Sequence, residues 1–235
     1  MRTIIQRLRK ELKEHADEKT RLTGERFFKE DVRLYGIRSA VVSDIAKKYY
    51  KEIREATKQE VFSLCEELWR SGIFEEAAVA CSWSYGKRRE FIPEDIRIFE
   101  RWVDLYVTNW AACDTLCNHT VGAIVEQFPD LVSVLKKWAL SENRWMRRAA
   151  AVSLIVPARK GLFLREVFEI ADILLLDKED LVQKGYGWML KVTSQHNQRE
   201  VFQYVLRHKS IMPRTALRYA IEKMPDELRQ EAMGR

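Results

Sequence analysis

An aspartate, an arginine and two tryptophans stand beside small residues at regular intervals in this sequence. Trp110 precedes Asp114 by four residues, which places both side chains on one face of a helix. Arg148 and Trp188 follow in the next two segments of the same kind. A carboxylate can stabilise developing positive charge and position water, an indole face attracts cations, and a guanidinium suits a phosphate contact. Together these side chains suit a site where positive charge develops beside a phosphate backbone.

Each of these residues also has an ordinary structural explanation. Asp114 can be a surface aspartate near the start of a helix, where the macrodipole favours the ionised carboxylate. A tryptophan at helical spacing usually packs in the core, and an arginine such as Arg148 is often a solvated surface charge. The interpretation therefore depends on the elements that hold the four residues.

Small residues mark a repeat with a period near 35. They are Ala77, Ala112, Ala149, Gly185 and Ala216, at intervals of 35, 37, 36 and 31 residues. A second helical segment precedes each of them, at 60–70, 93–107, 129–140, 164–176 and 199–207. A unit of helix, short turn and helix is typical of HEAT-like repeats. The pattern predicts an all-α fold in which HEAT-like helical repeats form a curved α-solenoid; the alternative is an irregular helical bundle.

The first 59 residues fit this repeat less well. The segments 2–14, 26–34 and 39–50 are predicted to be helices, with Gly36 ending the middle one and Ser39 capping the next. Terminal repeats of solenoids are often atypical because they cap the stack. We therefore expect one HEAT-like repeat domain over 1–235, with 1–59 as an atypical N-terminal helical cap.

The composition favours a helical protein and permits an anionic partner. Hydrophobic residues make up 46% and charged residues 32%, and the counts of Gly (9) and Pro (5) are low. The net charge of +6 is compatible with nucleic acid but is also an ordinary solubility charge. The apolar stretches are too short for a membrane span, and residues 1–14 lack a signal-peptide pattern. We expect a cytoplasmic monomer without membrane contact, which would be associated with the nucleoid if its anionic partner is DNA.

Cysteine and histidine spacing does not predict a metal site. Cys113, Cys117 and His119 could supply three zinc ligands on one helix, but no second pair follows at zinc-site spacing. The four cysteines, which also include Cys65 and Cys81, are better interpreted as buried or half-buried thiols in a reducing compartment. We expect neither a metal nor a cofactor.

Several short motifs follow one another along the chain. They are NWAACD at 109–114, WMRRAA at 145–150 and GYGW at 185–188, with LW at 68–69, EAA at 76–78 and RLYGI at 33–37. Their order and spacing resemble those of the AlkD-like DNA glycosylases. The resemblance covers roughly residues 25–222, and it is the combination of motifs that is specific.

The resemblance implies a HEAT-like protein that hydrolyses the N-glycosidic bond of 3-methyladenine and 7-methylguanine in duplex DNA. The family's catalytic aspartate corresponds to Asp114, its two tryptophans to Trp110 and Trp188, and its arginine to Arg148. The family contacts sugar and backbone and needs no pocket for a flipped base. No lysine occupies position 114, so a Schiff-base lyase step is not expected.

Two positions depart from the family pattern. Phe27 stands where the family commonly has tyrosine, and Arg38 where it often has glutamine. Both changes affect the expected lesion preference more than the expected catalysis. Phe27 and Arg148 are candidates for DNA contacts. Further basic side chains are either candidates for DNA contacts or solvated surface charges: Arg38, Arg147, Arg159, Lys160, Lys184, Arg214 and Arg218.

Two other functions fit parts of the pattern. A non-catalytic relative that binds branched or distorted DNA would have lost the carboxylate or the tryptophans, whereas all four motif residues are present here. A protein–protein scaffold, the usual role of HEAT repeats, would have an apolar or acidic concave face. The sequence therefore favours a glycosylase acting on alkylated duplex DNA.

Overall fold

Helices account for the regular structure of residues 2–234, the part that this computed structural model describes. No β-strand occurs in that part, and the one isolated bridge joins Arg33 and Ile73. The helices are α1 (Arg2–Glu14), α2 (Glu18–Phe27), α3 (Ser39–Ile53), α4 (Lys58–Trp69), α5 (Phe74–Gly86), α6 (Ile96–Tyr106), α7 (Trp110–Thr115), α8 (Gly122–Gln127), α9 (Val132–Trp138), α10 (Arg144–Val152), α11 (Ile155–Arg159), α12 (Leu164–Leu174), α13 (Asp180–Thr193), α14 (Gln198–His208), α15 (Arg214–Ile221) and α16 (Asp226–Met233).

These helices confirm the predicted all-α class and its helical repeat. The chain divides into two compact units, Met1–Leu116 and Cys117–Arg235. In the first unit α4 packs on α5, and in the second α9 packs on α10, α12 on α13 and α14 on α15. Each of these pairs corresponds to a predicted helix pair. The single domain expected over 1–235 stays a prediction, and the helices described at 2–234 include none that is long and apolar enough to cross a membrane.

Short polar residues start several helices by binding their free amides. Thr57 and Glu60 form a capping box before α4, in which the Glu60 carboxylate accepts a hydrogen bond from the Thr57 amide at 2.9 Å. Asn143 precedes α10, and its side-chain oxygen accepts the Trp145 amide at 2.9 Å. These local caps explain why the helix starts are readable from sequence.

The prediction of a helix over 26–34 is wrong. Asp17 caps α2 by accepting a hydrogen bond from the Thr20 amide, so the helix begins at Glu18, earlier than predicted. It ends at Phe27, and the backbone of Phe28 is extended. The segment 28–38 is a loop. Gly36 lies inside that loop with φ +83° and ends no helix. Ser39 is the first residue of α3, where it caps nothing.

A buried carboxylate replaces the missing helical hydrogen bonds of this loop. Glu75 of α5 accepts the backbone amides of Tyr35, Gly36 and Ile37 at 2.9, 2.8 and 3.1 Å. Glu75 is buried, so these bonds offset the cost of removing its charge from water. The loop therefore has a fixed conformation up to Arg38 and the start of α3.

The second helices of the C-terminal repeats approach one another at glycine. A Cβ on Gly187 of α13 would lie 2.7 Å from the Tyr219 Cβ and 2.8 Å from the Ala216 carbonyl of α15. One neighbour is a Cβ atom and the other is a backbone oxygen, and neither can move away by a side-chain rotation. The close packing of α13 on α15 therefore requires glycine at this position.

Replacing Gly187 with alanine is expected to lower the free energy of unfolding by about 2 to 3 kcal/mol, because the two helices must separate. Urea denaturation followed by far-UV circular dichroism measures this loss. Gly234→Ala is the control, since its Cβ would meet its neighbours at ordinary distances of 3.4 and 3.5 Å. An unchanged midpoint for Gly187→Ala would contradict the packing.

Candidate active site

Asp114 and Trp110 lie on the short helix α7 in the first unit. Asn109 is buried, and its side-chain oxygen accepts the Ala112 amide at 2.9 Å, which starts the helix at Trp110. Asp114 is the fifth residue of α7 and only 8% exposed. It is therefore a buried carboxylate one turn inside the helix, and the explanation as an exposed surface aspartate does not hold.

The helix changes its winding directly after this turn. Leu116–Val121 form a π-helix between α7 and α8. The winding of α7 itself carries Trp110 and Asp114 on one face, at a spacing of four residues. Single π-turns inside helices are rare, and they often occur at functional sites.

An aromatic cluster surrounds Trp110. The Phe27 and Phe28 rings lie 5.5 and 5.8 Å from the Trp110 ring, and Phe28 lies 5.6 Å from Phe74. Trp110 is half-buried, whereas Phe27 is 67% exposed. The structure therefore brings together the two predicted aromatic site residues of this unit, and Phe27 presents the cluster to solvent.

Phe28 and Phe74 are members of this cluster that the sequence analysis missed. Phe74 is the first residue of α5, and Trp110 is the first residue of α7. The signal that could have revealed Phe74 is that two consecutive second helices begin with a large aromatic side chain.

Phe27 and Arg38 line the same open groove. The groove has a volume of about 1060 Å³ and lies along α2 and the start of α3. Lys19 and Arg26 add positive charge to it, and Asp17 is an acid in its wall. Hydrogen bonds from the Thr20 hydroxyl and amide hold the pKa of Asp17 below its ordinary value. The groove thus presents three cations and one carboxylate beside an exposed aromatic ring.

The second unit holds Arg148, which is only 5% exposed. Its Nη1 donates to the carbonyl of Leu181, and its side chain lies against Gly185. A Cβ on Gly185 would lie 3.3 Å from the Arg148 Cγ, so the small residue leaves room for the arginine. Trp188 follows on the same helix as Gly185 and is half-buried.

Arg147 connects two turns of the second unit. Its Nε lies 2.5 Å from a carboxylate oxygen of Asp177, and its Nη1 donates to the carbonyls of Ser141 and Glu142 at 2.9 and 2.8 Å. These bonds support a role in holding the turn before α10 against the turn before α13. The expected phosphate contact of Arg147 stays a prediction.

The remaining basic candidates differ in what they contact. Lys160 pairs with Glu126 at 2.6 Å, and Lys184 pairs with Asp180 at 2.6 Å. Arg159 and Arg214 are exposed. Lys184 and Arg214 line one cavity of the second unit, together with Arg218.

The cysteines are buried thiols. Cys65, Cys81, Cys113 and Cys117 are all buried, and within residues 2–234 none of them forms a disulfide. Burial raises the pKa of the Cys65 and Cys81 thiols above their ordinary range, so both stay protonated. Among residues 2–234 no group of three or more metal-ligating side chains comes together.

A polar side chain occupies the fifth position of four second helices. The residues are Asp114 of α7, Arg148 of α10, Lys184 of α13 and Arg218 of α15, at intervals of 34, 36 and 34. The small residues that mark the repeat fall at several different helix positions, so their spacing does not reveal this register. The equivalent position of α5 holds Ala78.

The chain is similar to known proteins in sequence pattern and in fold. The model of the family described as DNA alkylation repair enzyme matches residues 8–224. A solved structure from Enterococcus faecalis, described as a predicted DNA alkylation repair enzyme, is similar at a TM-score of 0.81 with 17% sequence identity, covering 90% of this chain and 98% of that one. No curated protein matches significantly. At this identity the structural likeness supports the fold, and the family match covers most of the chain.

Proposed function

Because the chain belongs to the DNA alkylation repair enzyme family, we propose that it is a monofunctional DNA glycosylase for cationic alkylated purines. Its substrates are 3-methyladenine and 7-methylguanine in duplex DNA, and it initiates base excision repair. The observation that carries the proposal is the buried carboxylate of Asp114, one turn from the half-buried Trp110. No cofactor or metal takes part in this proposal.

The reaction needs little more than charge stabilisation. An N3- or N7-alkylated purine is already a cation, so the C1′–N bond can break with its electron pair passing into the ring. The base leaves neutral, and positive charge develops on the sugar. A carboxylate in a poorly hydrated site stabilises this charge strongly, and water then attacks C1′ and loses a proton. We assign Asp114 the role of stabilising the sugar and orienting that water.

The tryptophans have a separate role in this proposal. An indole face attracts a cation by about 0.5 to 2 kcal/mol. Trp110, with the exposed ring of Phe27 against it, would contact the cationic nucleotide, and we propose a cation contact for Trp188 as well. No lysine stands at position 114 to form a Schiff base, and we expect no lyase step.

Basic side chains hold the DNA in two ways. Arg38, Arg214 and Lys184 are exposed or half-exposed, and we assign them to direct phosphate contacts. Arg148 and Arg147 are committed to backbone carbonyls of their own unit. Their hydrogen bonds support a role in positioning the helices that carry them. If either arginine also contacts a phosphate, it does so from a side chain that these bonds already hold in place.

The test of the proposed function is release of base from duplex DNA carrying 7-methylguanine. The wild-type chain is expected to release 7-methylguanine and leave an intact abasic strand, since no lyase step follows. Undamaged duplex of the same sequence is the control. No release above the spontaneous rate would overturn the glycosylase proposal.

A non-catalytic DNA-binding protein is the second candidate. The cationic groove with the exposed Phe27 ring favours it, because such a surface binds DNA whether or not chemistry follows. This candidate predicts binding of branched or distorted DNA without base release. The same assay separates the two functions.

Removing the exposed ring at position 27 is expected to lower base release. Phe27→Ala loses the ring that covers Trp110, and an aromatic pair of this kind contributes about 0.5 to 1.5 kcal/mol. We expect a loss of about tenfold in single-turnover excision of 7-methylguanine. Phe27→Tyr, which keeps the ring and adds the hydroxyl common in the family, is the matched control and should stay close to wild type. Equal losses in both variants would show that the ring itself does not matter.

A further inference from the structure

The helix that carries Phe27 has no anchor of its own in the hydrophobic core. Within residues 18–27, all of which the structure describes, no side chain is buried. A surface helix of this length usually holds its place by burying one apolar face, because isolated short helices are marginal in water. The position of α2, and of the Phe27 ring at its end, must therefore be set by other parts of the chain.

α2 packs against the loop 28–38 that follows it. Gly36 of this loop comes so close to the start of α2 that a Cβ there would lie 2.5 Å from the carbonyl oxygen of Asp17 and 2.6 Å from the Arg21 Cβ. The Asp17 amide donates a hydrogen bond to the Gly36 carbonyl at 3.1 Å. A Cβ on Gly24 of α2 would lie 2.6 Å from the Leu34 Cδ1 of the loop. The loop is therefore the support on which α2 rests.

The first turn of α5 holds this loop through Glu75. Oε1 of the buried carboxylate accepts hydrogen bonds from the amides of Gly36 and Ile37 at 2.8 and 3.1 Å. Oε2 accepts a hydrogen bond from the Tyr35 amide at 2.9 Å. Gly36 is thus bonded through its amide to Glu75 and through its carbonyl to the amide of Asp17. A single residue of the loop therefore connects α5 with the start of α2.

Phe74, the neighbour of Glu75, contacts the aromatic cluster at the other end of α2. Its ring lies 5.6 Å from the Phe28 ring. The Phe27 and Phe28 rings lie 5.5 and 5.8 Å from Trp110. The first turn of α5 thus contacts the aromatic cluster through one residue and the loop through the next. A shift of the loop would move α2, and the contact between Phe27 and Trp110 would change with it.

We propose that Glu75 is a positioning residue of the candidate active site, which fixes the loop under α2 and so sets where the Phe27 ring lies against Trp110. Glu75 bonds to backbone amides of its own chain and acts on base release through Phe27. The effect on excision rests on the proposed glycosylase function, whereas the effect on the loop and α2 is independent of it.

Replacing Glu75 with glutamine removes an acceptor at almost constant side-chain size. All three bonds to the loop come from N–H donors, so both carboxylate oxygens must accept. The amide group of glutamine places two N–H donors where one of these oxygens was, facing at least one backbone amide. At least one bond to the loop is therefore lost, and its N–H is left without this acceptor.

Hydrogen exchange tests the structural part of the proposal. In Glu75→Gln we expect the amides of α2 and of the loop to exchange together about tenfold faster than in the wild type, because both lose one support. The amides of α4 should exchange at the wild-type rate. Mass spectrometry of peptides that cover 18–38 and 58–69 measures both. Faster exchange confined to the loop, with α2 unchanged, would show that α2 does not depend on Glu75 and would overturn the proposal.

A double-mutant cycle tests the functional part, with enzyme in excess over duplex DNA that carries 7-methylguanine. Glu75→Gln should slow excision by up to about tenfold, the loss expected from removing the Phe27 ring itself, and should cost nothing further in a Phe27→Ala background. In a Trp188→Ala background the loss should keep its full size, since Trp188 lies in the other unit. Equal losses in the wild-type and Phe27→Ala backgrounds would show that Glu75 does not act through the ring.

The matched control is Glu66→Gln on α4. Glu66 is half-buried and accepts hydrogen bonds from Trp102 and Tyr106 of α6 at 3.4 and 3.1 Å. This variant should lower the free energy of unfolding but leave the exchange of 18–38 and the rate of excision unchanged. If it alters both as Glu75→Gln does, the effect is a general loss of stability, and Glu75 has no positioning role.

Glu75→Asp keeps the test decisive should Glu75→Gln fail to fold. It retains two acceptor oxygens, but its side chain is one methylene shorter and cannot reach all three amides. We expect the same pattern at smaller size, with faster exchange of α2 and a loss of excision that disappears in the Phe27→Ala background. A wild-type protein that releases no base would remove the glycosylase, and hydrogen exchange alone would then decide whether Glu75 holds α2 in place.

Discussion

Replacing Asp114 with asparagine is expected to slow release of 7-methylguanine by about two to four orders of magnitude. The amide keeps the size of the side chain but loses the negative charge that stabilises the sugar cation. Asp114 is 8% exposed, so little water can replace that charge. Single-turnover excision with enzyme in excess measures the chemical step directly.

DNA binding by the Asp114→Asn variant should persist, because the site loses negative charge rather than a bond to phosphate. Asp130→Asn is the control, since this carboxylate is exposed outside the site and its loss should leave excision unchanged. Thermal unfolding of each variant shows whether the fold is intact. Wild-type excision by Asp114→Asn would remove Asp114 from the mechanism.

Lesion charge is expected to decide which bases are released. 7-Methylguanine and 3-methyladenine are cations that leave without protonation, whereas uracil and hypoxanthine are neutral and need an acid to activate them. In the proposed mechanism, indole faces and a carboxylate stabilise positive charge but supply no proton. We therefore expect efficient release of the two cationic bases and none of the neutral ones.

Matched duplexes that differ only at the lesion measure this selectivity. Trp110→Ala with Trp188→Ala should lose more excision than DNA affinity, because phosphate contacts supply most of the non-specific binding. Efficient removal of uracil by the wild type would show that a general acid acts in the site, and the mechanism proposed here would fail.

The helical repeat was predictable because its signals are local. Apolar periodicity, capping residues such as Asn109 and Asn143, and small residues every 31 to 37 positions are all contained within one helix pair. The same locality made the pairing of Trp110 with Asp114 predictable, since four residues on a helix fix a common face.

The N-terminal segment was not predictable in the same way. Its loop depends on hydrogen bonds from Tyr35, Gly36 and Ile37 to Glu75, a carboxylate about 40 residues further along the chain. The sequence pattern for 26–34 contained helix-compatible residues. Long-range bonds hold the backbone as a loop instead, including the bond from the Phe74 amide to the Arg33 carbonyl at 3.0 Å.

Burial of charge was decided by tertiary structure as well. Lys58 and Asp95 form a buried pair at 2.6 Å, and Lys87 is buried with its ammonium donating to the carbonyls of Arg54 and Ala56. Sequence alone favours solvent for all three, because an unpaired charge is too costly to bury. Lys58 and Asp95 are 37 residues apart, and the two carbonyls that Lys87 binds are 33 and 31 residues before it, beyond the reach of any local pattern. Only the pair of Lys87 with Glu90, at 2.8 Å, is local.

The sequence by itself determined the helical class, the repeat, and the residue types that could perform the chemistry. Those properties follow from backbone propensity and helical spacing, which act over a few residues. Only the tertiary structure decided that Asp114 is buried, that Phe27 covers Trp110, and that Arg148 is enclosed beside Gly185. Burial, ring contact and ion pairing depend on which distant side chains fill the surrounding space, so they exist only once the helices have packed.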